Sequence, residues 1–219
     1  MSVHELRITS STADLEPLYD SCMEKLNEFF ALKWVTDTPQ VYIVPDRRTI
    51  DILKHKRTEP WIIGWGEPNP STDRVFLLAR DALLTESNHV DNSIERYTEL
   101  MMHELCHSFY LRLSGTHAPT WLNEGLCMYV SGQIRHRQRP ERFTDLLEYF
   151  NHGGEGVYRE AGFAIEALVN AHGKEKLTQV LHAMKVAGGH VTHESFDALF
   201  SVVYGTSPTY EMFDSLLEA

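Results

Sequence analysis

The hydrophobic and polar positions of this chain follow two patterns. Up to about residue 80, short apolar runs bounded by proline, glycine and aspartate predict strands. Helical spacing occurs there in two stretches, one before the first strand and one after it. From about residue 92 onward, apolar residues recur mostly at helical spacing. The predicted strands are 40–44, 61–65 and 74–79, and the predicted helices are 15–31, 46–57, 92–113, 122–135, 143–150, 158–172, 174–186, 194–204 and 209–217.

The order of these elements predicts the fold class. Strands come first and helices follow, which favours an α+β fold over an alternating α/β fold. Asn92 and Glu95 have the spacing of a capping box at the start of the long helix 92–113. We expect an N-terminal α+β lobe, 1–113, that ends with this helix, and a C-terminal helical lobe, 114–219.

Composition narrows the functional classes. The chain has 219 residues, of which 42% are hydrophobic, so it can bury a sizeable core. Its net charge is −11 and no segment concentrates lysine or arginine strongly, so nucleic acid is not an expected partner. The chain shows neither a signal peptide nor an apolar run of about 18 residues, so we expect no membrane span. Three cysteines without a CxxC pair favour reduced thiols and a cytoplasmic protein.

A His-Glu-x-x-His motif lies at 103–107, inside the long predicted helix. Residues i and i+4 share a helix face, so His103 and His107 can reach one metal ion. Glu104 lies about 100° around the helix, where its carboxylate can contact a metal-bound water instead of the metal. Most neighbouring residues are apolar, and a bound metal would compensate the burial of these polar groups. The alternative is a pair of hydrogen-bonded core histidines.

A third ligand is needed, because a catalytic zinc site normally has three protein ligands and a position for water. Sixteen residues after His107 lead to Glu124, where a second predicted helix can fold back after the turn 114–119. A histidine six residues after His107 would also serve, but that position is Leu113, and no aspartate lies before Glu124. Glu124 is therefore the predicted ligand, and His117 is the alternative.

The sequences HELCH and WLNEG resemble the gluzincin clan of zinc metallopeptidases and, more distantly, the catalytic domain of its aminopeptidases. The resemblance extends over most of the chain and implies a zincin-like fold. It also implies that the segment 74–79 is the edge strand that pairs with the substrate backbone above the zinc helix. The roles it implies are Zn²⁺ binding by His103, His107 and Glu124, and general acid–base catalysis by Glu104.

A tyrosine that stabilises the transition state is also implied by the resemblance. Tyr158 begins a segment similar to the aminopeptidase helix that carries this tyrosine, although it is one residue out of step relative to Gly162. His117 is the alternative for this role. The GxMEN element, which binds a free substrate amine in the aminopeptidases, is absent, which argues against aminopeptidase activity.

We therefore expect a zinc-dependent metallopeptidase that acts on a peptide or protein. The alternative is a non-catalytic protein that binds a peptide or partner on a gluzincin scaffold, using a strand edge. A purely structural zinc is less consistent with the sequence, because such sites are closed and rich in cysteine and have no use for Glu104.

Overall fold

The structure, a computed structural model, describes residues 14–69, 72–154 and 156–217. In these ranges the fold is α+β, as predicted. The strands are β1 (Gln40–Val44), β2 (Gly64–Glu67) and β3 (Arg74–Leu78). The helices are α1 (Glu16–Phe29), α2 (Arg47–Leu53), α3 (Leu83–Glu86), α4 (Ile94–Ser114), α5 (Thr120–Ser131), α6 (Val157–His172), α7 (Lys174–Val186), α8 (His193–Tyr204) and α9 (Tyr210–Leu217).

The three strands form one sheet in the order β1-β3-β2. β1 runs parallel to β3, and β2 runs antiparallel to it. The prediction that 74–79 is the edge strand is therefore wrong. β3 is the central strand, with β1 on one side and β2 on the other. Four successive residues, Val75 to Leu78, are buried, so both faces of β3 are covered. Among the described residues, β1 and β2 each pair with a strand on one side only, and β2 is the one that packs on α4.

The first part of the chain differs from the predicted boundaries at two elements. Asp46 caps α2 as predicted and accepts a hydrogen bond from the Thr49 amide (2.7 Å). The helix ends at Leu53 instead of residue 57, because His55 adopts a left-handed backbone conformation with φ of 54°. The strand predicted at 61–65 begins only at Gly64, and the residues before it form a turn.

The N-cap of the long helix α4 lies one residue later than predicted. Ser93, not Asn92, is the N-cap, and its hydroxyl accepts a hydrogen bond from the Arg96 amide (3.3 Å). α4 ends at Ser114, and the next residue, Gly115, caps it with a φ of 75° that suits glycine. Most of α4 is buried, including His103 and Glu104 of the His-Glu-x-x-His motif, so it forms the centre of the molecule.

The predicted helix 143–150 is reduced to one short 3-10 turn, Leu146–Glu148. The buried carboxylate of Glu160 explains why this loop stays ordered without a helix. It accepts hydrogen bonds from the backbone amides of Thr144, Asp145 and Leu146, at 3.0, 2.9 and 3.1 Å. The loop is thereby attached to the first turns of α6.

The helices α5 and α6 pack with almost no side chain between them at one point. A methyl group placed on Gly125 would lie 2.6 Å from the Ala161 carbonyl oxygen, closer than real Cβ atoms approach an oxygen. A glycine is therefore required in α5 at this contact. Among the described helices, none has both the length and the apolar composition needed to cross a membrane.

Candidate metal centre

The two histidines of α4 project toward the same point, as their spacing predicts. Their rings lie 4.9 Å apart between centroids and are nearly perpendicular. His103 is buried, and His107 is partly buried. Because both come from consecutive turns of one rigid helix, their relative position is set by helix geometry.

Glu124 on α5 completes the group. Its Oε2 lies 3.4 Å from Nε2 of His103 and 3.8 Å from Nε2 of His107. One ligand atom from each of the three residues can be chosen so that all lie within 4.8 Å of one another. The same Oε2 is buried and has no hydrogen-bond partner among the described residues. An orphaned carboxylate oxygen that faces two imidazole nitrogens is the arrangement a cation would satisfy.

The charge state of Glu124 also suits a ligand. Burial by itself raises the pKa of this carboxyl group, but His107 and His103 beside it outweigh burial, so the net pKa is lowered. The carboxylate is therefore ionised at neutral pH. A deprotonated carboxylate is the form that binds a divalent metal.

Asn123 holds one of the histidines in position. Its Oδ1 lies 2.8 Å from Nδ1 of His107, and because an amide oxygen can only accept, Nδ1 must carry the proton. The other ring nitrogen, Nε2, faces Glu124 and is the atom available to bind a metal. Sequence reasoning missed Asn123, although its place immediately before the ligand in Asn-Glu-Gly was an available signal. Nδ1 of His103, in contrast, has no partner within the described parts of the chain.

Glu104 lies beside the candidate ligands and is not one of them. It is buried, and burial raises its pKa to about 7, with the charge of Glu124 raising it and that of His107 lowering it. Its side chain packs closely against β2, since a methyl group placed on Gly64 would lie only 2.6 Å from Oε1. A carboxyl group with a pKa near neutrality can both accept and donate a proton.

Tyr158 lies at the start of α6 and is half-buried. Burial raises the pKa of its hydroxyl, and the negative charges of Glu124 and Glu104 raise it further. His117 lies in the turn between α4 and α5 with an exposed side chain, and it is not in the group of ligand atoms around Glu124.

Comparison with known proteins identifies no relative. The chain matches no protein-family model, and it shows no significant similarity to a curated protein or to a solved structure. The gluzincin resemblance therefore rests on HELCH and WLNEG in the sequence. The function must be argued from the site itself.

Proposed function

We propose that this protein is a zinc-dependent metallopeptidase. The observation that carries the proposal is the buried, unpaired Oε2 of Glu124 facing Nε2 of His103 and His107, with the carboxyl group of Glu104 next to them. Two histidines and one glutamate are a donor set of catalytic zinc sites and leave a position for a non-protein ligand. When bound, zinc would act as a Lewis acid and lower the pKa of a water molecule toward neutrality.

Glu104 supplies the proton transfers in this proposal. Its carboxylate accepts a proton from the attacking water and returns it to the amine that leaves when the peptide bond breaks. Its location supports this role, because its side chain lies between the candidate ligands of α4 and the edge strand β2. A structural metal site would not require an ionisable group in this position.

The free edge of β2 supports a peptide as the substrate. An extended peptide can add to a strand edge through backbone hydrogen bonds, and the neighbouring side chains then select its residues. β3 pairs with one side of β2, and no other described strand pairs with the opposite side. Gly64 of β2 also lies against Glu104. A peptide added there would lie next to the proposed base.

The first test uses the unmodified protein. We expect about one zinc ion per chain by elemental analysis, and turnover of a mixed peptide library that a zinc chelator abolishes and added zinc restores. Peptide binding without turnover in the zinc-loaded protein would favour the non-catalytic alternative. Absence of stoichiometric zinc would contradict the metal centre.

Replacing Tyr158 by phenylalanine should reduce the catalytic rate more than tenfold, because a donor to the transition-state oxyanion is worth about 3 kcal/mol. Substrate affinity should change little, since this hydrogen bond is made mainly in the transition state. Steady-state kinetics, zinc content and thermal unfolding of Tyr158→Phe measure these effects. Wild-type turnover would contradict the role and leave His117 as the next residue to test.

A further inference from the structure

One tryptophan of this protein differs from the other three. Trp61 exposes 53% of its surface, whereas Trp34, Trp65 and Trp121 expose 6, 7 and 1%. The buried Trp65 stacks on Phe76 at 4.7 Å between ring centroids. Scattered exposed apolar residues need no explanation. Exposure alone therefore does not indicate a function for Trp61, and its surroundings must be considered.

The turn that carries Trp61 is held rigidly by a single arginine. The guanidinium of Arg47 donates hydrogen bonds to three backbone carbonyls of this turn, those of Glu59 (3.2 Å), Pro60 (3.0 Å) and Ile62 (2.6 Å). These carbonyls flank Trp61 on both sides. Because these hydrogen bonds already order the turn, its backbone has little conformational entropy left to lose when Trp61 binds.

One contact of Trp61 and one contact of the strand that follows it place Trp61 near the candidate metal centre. Its ring lies 6.4 Å from that of Tyr158 between centroids, and the phenol is close enough to Glu104 and Glu124 for their charges to raise its pKa. Three residues further along the chain, Gly64 lies against the carboxylate of Glu104. Trp61 therefore stands at the border of the site, on the side where β2 begins.

We infer that Trp61 determines the substrate specificity of the proposed peptidase. Its exposed ring packs against a bulky apolar side chain, aromatic or large aliphatic, on a substrate residue next to the cleaved bond. This inference rests on the proposed function. An exposed aromatic ring offers a large apolar surface at low entropic cost, and it stacks well on a second aromatic ring.

The experiment compares two matched peptides that differ at one residue beside the cleaved bond, phenylalanine in one and glycine in the other. We expect the wild-type protein to prefer the phenylalanine peptide. In Trp61→Ala this preference, measured as the ratio of kcat/KM values, should fall about tenfold, the lower end of what one methylene contributes in an apolar pocket. Trp61→Phe keeps an aromatic face and should keep most of the preference. Zinc content and thermal stability should barely change in either variant, because Trp61 is half exposed.

A binding measurement gives a second readout that needs no turnover. In zinc-loaded Glu104→Gln protein, acrylamide should quench mainly the fluorescence of Trp61, since the other three tryptophans are buried. The phenylalanine peptide should protect this fluorescence, and the glycine peptide should protect it less. Equal protection by the two peptides would overturn the inference.

The two proposals fail in different ways. If wild-type protein cleaves peptides but Trp61→Ala keeps the full preference, the specificity role is overturned and the peptidase function stands. If zinc-loaded wild-type protein cleaves no peptide, the function fails and the inference about its specificity fails with it. The same loss of preference in Trp61→Phe as in Trp61→Ala would also count against the aromatic face.

Discussion

Replacing Glu104 by glutamine should lower peptide hydrolysis at least about a hundredfold, the lower end of what general acid–base catalysis contributes. Glutamine has nearly the same shape, but it can neither accept the proton of the attacking water nor return it to the leaving amine. Zinc should remain bound in full, because the candidate ligands are His103, His107 and Glu124. Elemental analysis and steady-state kinetics on the same preparation separate the two effects.

A matched control lies on the same helix. Glu99 is also a buried glutamate of α4, but its carboxylate binds Arg96 and Arg135, at 2.7 and 3.0 Å, and it is not one of the candidate ligands. Glu99→Gln removes one buried negative charge without touching the proposed base, so it should lower thermal stability and leave kcat close to wild type. Unchanged activity in Glu104→Gln would contradict the proposed mechanism.

The second large effect is expected from a residue with no side chain. In Gly64→Ala, the new methyl group would meet Oε1 of Glu104 at 2.6 Å and its Cγ at 2.8 Å, so the glutamate must move. A misplacement of about 1 Å at a reacting group can cost about a hundredfold in rate. We therefore expect a loss of kcat similar to that of Glu104→Gln, with zinc retained.

Gly66 provides the control for Gly64. It lies in the same strand, two residues further on, and a methyl group placed there would meet nothing within 4 Å. Gly66→Ala should therefore keep wild-type kcat. If both variants lose activity equally, the effect comes from the strand as a whole and not from the contact with Glu104. Turnover at the wild-type rate in Gly64→Ala would show that the base tolerates displacement.

Local sequence patterns predicted much of the site because most of it is built from local geometry. The spacing of His103 and His107 needs one helix, and apolar periodicity is sufficient to predict that helix. Glu124 could be selected from the sequence because few acidic residues follow at a suitable distance. That these three side chains meet was not contained in any local pattern, since it depends on how α5 packs against α4.

The contact between Gly64 and Glu104 shows what a single sequence cannot predict. The two residues are 40 positions apart, and Gly64 alone reads as a residue near a strand end. Its importance arises from the pairing of β2 with the sheet and of the sheet with α4. Such non-local packing leaves no periodic pattern.

The error about β3 had a signal that could have prevented it. The segment RVFLLA is apolar almost without interruption, which is typical of a strand buried on both faces and therefore central. Likewise, the prediction of a short helix at 143–150 did not take Glu160 into account. Its carboxylate accepts hydrogen bonds from the loop amides, so these amides do not need helical partners.

The close approach of α5 and α6 at Gly125 has a consequence for the design of inhibitors. α5 carries Glu124 and α6 carries Tyr158, and without a side chain between them at Gly125 the two helices cannot slide past each other without a clash. This contact holds the backbone around Glu124, a candidate ligand, at a fixed distance from the backbone around Tyr158. If the protein binds zinc as proposed, an inhibitor could join a zinc-chelating group to a hydrogen-bond acceptor for the phenol. A rigid linker of matching length should then increase its affinity, because a rigid linker loses less conformational entropy on binding than a flexible one.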